Sequence, residues 1–205
     1  MKIAMLGTRG IPASYGGFET CVEQIAVRLA SKGHDVTVYC RADYPRKMER
    51  QYKGVHLVHL PRLRKSFVES PFNSFIATMH ASLSGHDILH YFGCGNVPFL
   101  LIPRMMRKGV ILTVDGLEWN RMSYSKAARV YLRSFAELAT VFPNIIVADS
   151  PSSEKWYFER TGIRPKYQPY GIEVSQGFDE SVLAKYGLEK GRYVLFVGRL
   201  VYEKG

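Results

Sequence analysis

The stretch that most limits what this chain can fold into is its first one, residues 1–20. A short apolar run, Ile3 to Leu6, meets a loop holding Gly7, Gly10, Gly16 and Gly17, and the loop feeds a segment in which Val22, Ile25, Ala26 and Leu29 recur at three- and four-residue spacing. That is a strand, a glycine loop and a helix. Four glycines within eleven positions exceed the need of an ordinary tight turn, and glycine lets backbone come close to a phosphate or sugar. In open parallel sheets the mouth beyond the strand ends is where ligands bind, and helix N-termini there offer free N–H groups to anions. The loop is therefore read as facing a ligand.

The same alternation continues. Gly33 stops the first helix, and Asp35 to Cys40 is a second strand that completes a βαβ unit. Val55 to Leu60, Asp87 to Phe92, Val110 to Val114, Asn144 to Ala148 and Lys166 to Tyr170 read as further strands. Between them, Phe72, Phe75, Ile76, Met79 and Leu83 mark one helix, and residues 97–107 and 127–142 mark two more. Ser150 caps a fifth with Pro151 at its first position, and Gly162 ends it. The fold class is α/β, a Rossmann-like doubly wound parallel sheet of about seven strands with crossover helices.

After Tyr170 the composition shifts. Residues 171–191, with Gly177, Gly187 and Gly191 and a short helix near Ser181 to Tyr186, read as a linker; Arg192 to Val197 then reads as a new strand. The expected organisation is a domain over 1–170, a linker over 171–191, and over 192–205 the first strand of a second domain that the sequence cuts short.

Composition narrows the chemistry. The 205 residues carry a formal net charge of +10, which points to anionic partners: nucleic acid, an acidic membrane leaflet or phosphorylated small molecules. The charge is uneven, with eight basic residues between Arg41 and Lys65 against Asp43 and Glu49, and a second basic stretch at Arg104, Arg107 and Lys108. No apolar run approaches the ~18 residues of a spanning helix, and the N-terminus is not a signal peptide. Cys21, Cys40 and Cys94 are odd in number and widely spaced, which fits small buried hydrophobes better than ligands or nucleophiles. No metal site is expected, and the localisation is expected to be cytoplasmic.

Three loops bring residues capable of chemistry to strand ends: His90 with Gly93 to Asn96, Asp115 to Arg121, and Asp149 with Ser150. The opening stretch, the Tyr170-Gly-Ile-Glu173 turn, and Gly198-Arg-Leu200 followed by Glu203-Lys-Gly205 resemble the GT-B glycosyltransferases of the large retaining type. The opening stretch is most similar to the branch that includes bacterial rhamnosyltransferases of cell-surface polysaccharide synthesis. The resemblance implies two Rossmann-like domains facing each other across a cleft, with an acceptor-binding domain here and most nucleotide-sugar contacts in the other. It implies that Arg199 and Lys204 contact the donor diphosphate and that Gly16 and Gly17 approach it from the opposite side. Fixed cations and backbone N–H groups would stabilise the charge that builds as a nucleoside diphosphate departs, with no metal and no cofactor beyond the nucleotide sugar itself.

In the same comparison Asp115 stands where many relatives carry histidine. It is the candidate catalytic residue, accepting hydrogen bonds from sugar hydroxyls or acting as a base toward the acceptor; capping the following turn is the structural alternative. Glu118, Trp119 and Arg121 are candidate acceptor contacts, with Trp119 either a stacking surface or a buried anchor. His90 and Asn96 are candidates for acceptor contact or for a structural role, and Asp149 and Ser150 are explained by capping. Acceptors in this branch are lipid diphosphates, so Arg62, Arg64, Lys65 and Phe67, with Phe72 and Phe75, are read as resting on the anionic inner face of the plasma membrane.

The function expected is transfer of a hexosyl group, rhamnosyl in the branch resembled, from a nucleotide sugar to a lipid-linked saccharide, with the 205 residues inactive alone. Two other classes stay open. An NAD(P)-dependent Rossmann oxidoreductase would need G-x-G-x-x-G, whereas the chain has Gly7-x-x-Gly10 and no acid closing the second strand. A basic module binding nucleic acid or a membrane surface is permitted by the charge, but no recognition signature appears, and nucleic acid is not expected as a partner.

Overall fold

The computed structural model describes residues 1–198 except 15, 43, 45–48, 62–68, 121, 123, 172–176, 178 and 180. The chain divides into two units, Met1–Tyr170 and Gly171–Gly205. In the first, β1 (Lys2–Leu6), α1 (Gly17–Ser31), β2 (Asp35–Cys40), β3 (Gln51–Tyr52), β4 (Val55–His59), α2 (Glu69–Leu83) and β5 (Ile88–Phe92) follow in order. A 3₁₀ turn (Cys94–Phe99), α3 (Leu101–Met105), β6 (Gly109–Val114), a second 3₁₀ turn (Glu118–Asn120), α4 (Lys126–Ala136) and a third (Glu137–Thr140) come next. β7 (Ile145–Ala148), α5 (Pro151–Thr161) and β8 (Lys166–Tyr167) complete the unit.

The strands form one eight-stranded sheet in the order β3-β4-β2-β1-β5-β6-β7-β8. Every neighbouring pair is parallel except β3 with β4. The sheet is covered on both faces, which explains why its strands are apolar almost throughout. Along β1, Ile3 and Met5 point into a core shared with Val22 and Ala26 of α1, whereas Ala4 and Leu6 join Ala77 and Ala81 of α2, Ala136 of α4 and Tyr157 of α5. The α/β doubly wound architecture read from the sequence is the one observed.

Several local expectations are corrected. β3, which brings the sheet to eight strands, is a two-residue antiparallel addition made by a hairpin through Lys53 and Gly54, both at positive φ (45° and 82°), the backbone of a type I′ turn. Residues 97–107 are not one helix. The six-residue 3₁₀ turn precedes the five-residue α3, since Pro98 and Pro103 each remove a backbone donor. The long helix expected over 127–142 ends as α4 at Ala136 and tightens into the third 3₁₀ turn.

Much of the apolar stripe of α2 faces away from the core, although Ile76 packs against it. Phe75, Met79 and Leu83 are exposed, while Asn73, Ala77, Thr78, Ala81 and Ser82 are buried. Small residues let the helix lie close to the sheet.

In the second unit the described residues hold one short helix, α6 (Ser181–Lys185). The strand expected at 192–197 is not formed. A strand requires a hydrogen-bonded neighbour, and Val194 and Val197 are 101% and 82% exposed instead.

The local signals around α5 act as read. Ser150 accepts from Ser153 N–H (3.4 Å), Pro151 opens the helix, and Gly162 closes it at φ 72° with its N–H on Phe158 O (2.9 Å).

Candidate functional site

The carboxyl ends of β1, β5, β6 and β7 form one mouth, and the sequence explains each wall of it. β1 leaves the sheet at Gly7, φ +96°, where a Cβ would stand 2.5 Å from both Asn96 Nδ2 and Phe92 O. Only glycine fits there. Gly16 is the N-cap of α1 and has no side chain to cap with; Glu19, in the first turn, turns back and accepts the Arg9 N–H (3.3 Å). The loop is further tied by Glu23, which accepts from Ala13 N–H (2.6 Å) and from the Tyr52 hydroxyl (2.9 Å). A Cβ on Gly17 would lie 3.7 Å from the Tyr170 ring, and Phe18 packs edge-on against Phe92 and Tyr170.

The second wall follows β5. Gly93, φ +93°, opens the first 3₁₀ turn, whose Cys94 N–H is taken by the buried Glu118 carboxylate at 3.0 Å. Asn96 donates to Phe92 O (2.7 Å) and Gly93 O (3.0 Å) and accepts from Ser74 Oγ (2.7 Å). Both amide hydrogens are therefore engaged in holding the turn. His90 lies within β5 and not at its exit. Its ring stacks on Phe92 at 4.3 Å, its Nε2 sits 2.8 Å from Thr113 Oγ1, and burial lowers its pKa to about 4, so it is neutral at pH 7.

Trp119 is 7% exposed, packed 4.7 Å from Trp156 with the Arg133 guanidinium over both rings at 5.3 and 5.1 Å. Of the two roles open to it, the fold makes it the anchor, because no ring face is left for a sugar.

A cavity of about 300 Å³ lies between these walls and the first turns of α2 and α4. Gly7, Phe18, Phe92, Gly93 and Asn96 line it from the sheet side, Ser70 and Ser74 from α2, Tyr124 and Tyr131 from around α4, and Glu118 from its turn. Hydroxyls, one carboxylate and aromatic faces around a small volume suit a sugar ring.

Asp115 is not part of that wall. It lies beside Asp149 at the ends of β6 and β7, where the two carboxyl groups are hydrogen-bonded. Tyr170 completes the group. Its hydroxyl is buried with no hydrogen-bond partner among the described residues, and burial, then the charges of Asp115 and Asp149, raise its pKa.

Asp115, Glu118, Gly16 and Gly17 thus meet at one mouth. Arg121, Arg199, Lys204, Arg62, Arg64, Lys65 and Phe67 lie outside the described residues. Among the described residues no cluster of three or more His, Cys, Asp or Glu is placed to hold a metal ion, and no helix is long and apolar enough to cross a membrane. Sequence reasoning missed Glu19, Tyr170 and the part of Asp149. The available signal was that Val114-Asp115 and Ala148-Asp149 each put an aspartate directly after a strand's last apolar residue.

Residues 1–173 match a family described as a domain of unknown function, DUF1972. The chain belongs to that family. This DUF1972 chain is also similar to spore coat protein SA of Bacillus subtilis (strain 168), 27% identical over 221 residues that cover 100% of the chain and 54% of the relative. Among solved structures, sucrose-phosphate synthase from Thermosynechococcus elongatus superposes with a TM-score of 0.66 at 16% identity, over 92% of this chain and 53% of that one. The Anabaena protein HepE, solved in complex with UDP and glucose, superposes with a TM-score of 0.60 at 16% identity, over 91% of this chain and 50% of its own. The DUF1972 chain spans about half the length of these relatives. At such identities the likeness is one of fold: a GT-B, Rossmann-like domain.

Proposed function

We propose that this chain is the acceptor-side half of a glycosyltransferase that moves a hexosyl group, rhamnosyl in the branch its opening stretch resembles, from a nucleotide sugar to a lipid-linked saccharide in cell-surface polysaccharide synthesis. The observation that carries the reading is the mouth itself: a cavity of about 300 Å³ walled by hydroxyls, aromatics and the Glu118 carboxylate, beside the Asp115 carboxyl. Further support comes from the fold shared with HepE, whose structure holds UDP and glucose.

In this reading the acceptor sugar lies in the cavity, with Glu118 accepting from its hydroxyls. Asp115 accepts a hydrogen bond or the proton of the attacking hydroxyl. Gly16 and Gly17 bring bare backbone toward the donor diphosphate, whose remaining charge falls to Arg199 and Lys204. Asn96 and His90 shape the mouth from behind, since both are already engaged within the domain. The exposed stripe of Phe75, Met79 and Leu83 on α2, next in sequence to Arg62, Arg64 and Lys65, supports resting the domain on the anionic inner leaflet.

The deciding experiment offers the complete protein a panel of nucleotide sugars with a lipid-linked saccharide and identifies products by mass spectrometry. Transfer is expected, with Asp115→Asn lowering kcat at least ~100-fold. Binding of a nucleotide sugar with no transfer to any acceptor would overturn the reading.

A further inference from the structure

The carboxyl ends of the strands form the mouth; the opposite end of the sheet carries a second groove. Arg104, Arg107 and Lys108 lie between α3 and the start of β6, whose six residues at ~3.3 Å each set them about 20 Å from the mouth. With Leu101, Met105 and Asn144 they line a groove of about 640 Å³.

The charge of this groove is not balanced from within. None of the three side chains has a hydrogen bond or ion pair among the described residues. The carboxylates on neighbouring elements are engaged elsewhere. Glu137, in the turn before Val141, pairs with Arg160 at 2.6 Å, and Asp87, whose O takes the Gly109 N–H, accepts the Lys2 N–H on its carboxylate at 2.7 Å. Three like charges this close in the chain repel one another, so an anion seated among them is favoured.

The backbone at Arg107 points the same way. α3 closes with the Arg107 N–H on Arg104 O (3.0 Å) and the Lys108 N–H on Pro103 O (2.9 Å), and Arg107 itself stands at φ 57°. Glycine ordinarily takes this left-handed position at a helix end, because a Cβ there crowds the following carbonyl. Basic residues at helix ends are otherwise explained by the last carbonyls and the helix dipole. That explanation is weak here: backbone N–H groups already take the Pro103 and Arg104 carbonyls, and α3 has only five residues. What the arginine adds over glycine is the cation it presents to the groove.

Asn144 supplies a fixed neutral donor. Its Oδ1 accepts the Val110 N–H (2.9 Å) and its own N–H donates to Val110 O (2.8 Å), which holds the side chain in place. Its Nδ2 hydrogens have no partner among the described residues. Planar guanidinium forks, a point-charge ammonium and an amide donor match the several oxygens of a phosphate group. Leu101 and Met105, 47% and 77% exposed beside the cations, leave room for an apolar ester group.

We infer that this groove is a second anion site, for a phosphate ester, separate from the mouth. The phosphate is that of a soluble ligand or of a lipid headgroup, the same chemistry from two sources, and two arms of one experiment tell them apart. The groove does not depend on the transferase reading.

Isothermal titration of the complete protein with inorganic pyrophosphate at low salt tests the soluble source, and co-sedimentation with phosphatidylglycerol vesicles tests the lipid one. Arg104→Gln combined with Lys108→Gln is expected to weaken the binding at least about tenfold. Arg107→Gly is expected to weaken it about threefold or more while Tm stays level or rises, because glycine removes the crowded Cβ; a merely structural Arg107 would leave binding unchanged. Lys32→Gln combined with Lys155→Gln removes charge elsewhere and keeps binding within about twofold. Pyrophosphate binding that the groove variants lose assigns a soluble ligand, and vesicle binding that they lose assigns a lipid headgroup. A wild type that binds neither, or groove variants that bind as the Lys32→Gln, Lys155→Gln control does, overturns the inference.

Discussion

His90 is a half-buried ring stacked on Phe92 and bonded to Thr113, and burial lowers its pKa from 6.5 to about 4. The unfolded chain takes up a proton at this histidine as the pH falls through ~6.5, while the folded chain does so only near 4, so folding loses stability across that window. The loss attributable to His90 is on the order of 3 kcal/mol. Asp149, whose pKa is raised, contributes in the opposite sense over its own window. Urea unfolding at steps between pH 6.5 and 4 should therefore show a slope in wild type that is absent or reversed in His90→Gln, and an identical slope in both would remove the assignment. His90, Asn96 and Trp119 were recognisable in the sequence as residue types that bind sugars. Their actual partners, Thr113, Ser74 and Trp156, are 22 to 37 positions away in the chain, so spacing could not reveal that the fold engages them internally.

At the scale of elements, periodicity identified α2 but not which side of it is covered. Apolar residues at 72, 75, 76, 79 and 83 make a stripe on any helix; the sheet receives mainly the small-residue face, with Ile76 at its edge. That leaves Phe75 44% and Leu83 69% exposed. An apolar stripe of this kind beside a basic segment is a surface for an interface rather than a core. Replacing Phe75 and Leu83 together by serine should abolish co-sedimentation with anionic vesicles at low salt while changing stability by less than about 1 kcal/mol. Failure of the wild type to sediment would eliminate the membrane surface. The proline-interrupted segment at 97–107 teaches a related lesson. Its residues are helix-like in pattern, yet Pro98 and Pro103 leave it as a 3₁₀ turn and a single short helix, and this brings Asn96 beneath Gly7.

For the whole molecule, both core clusters are drawn entirely from the unit Met1–Tyr170. A chain ending at Tyr170 is expected to unfold in one cooperative transition, followed by circular dichroism, with a Tm within a few degrees of the longer chain; a broad, non-cooperative transition would show that the second unit is needed for the fold. The alternation of strand and helix, the parallel sheet and the glycine loop at its mouth were all legible in residue order. They follow from local periodicity, from turn residues whose φ must be positive, and from the rule that a βαβ crossover returns parallel. The cavity and the carboxyl pair were not. They depend on register between β6 and β7, on the loop after β8 delivering Tyr170 to the end of the sheet, and on Glu118 reaching back 24 residues to cap Cys94. Contacts of that range exist only once the sheet has closed, so Asp149, an ordinary helix-flanking aspartate in the sequence, gains its chemical partner from the tertiary fold alone.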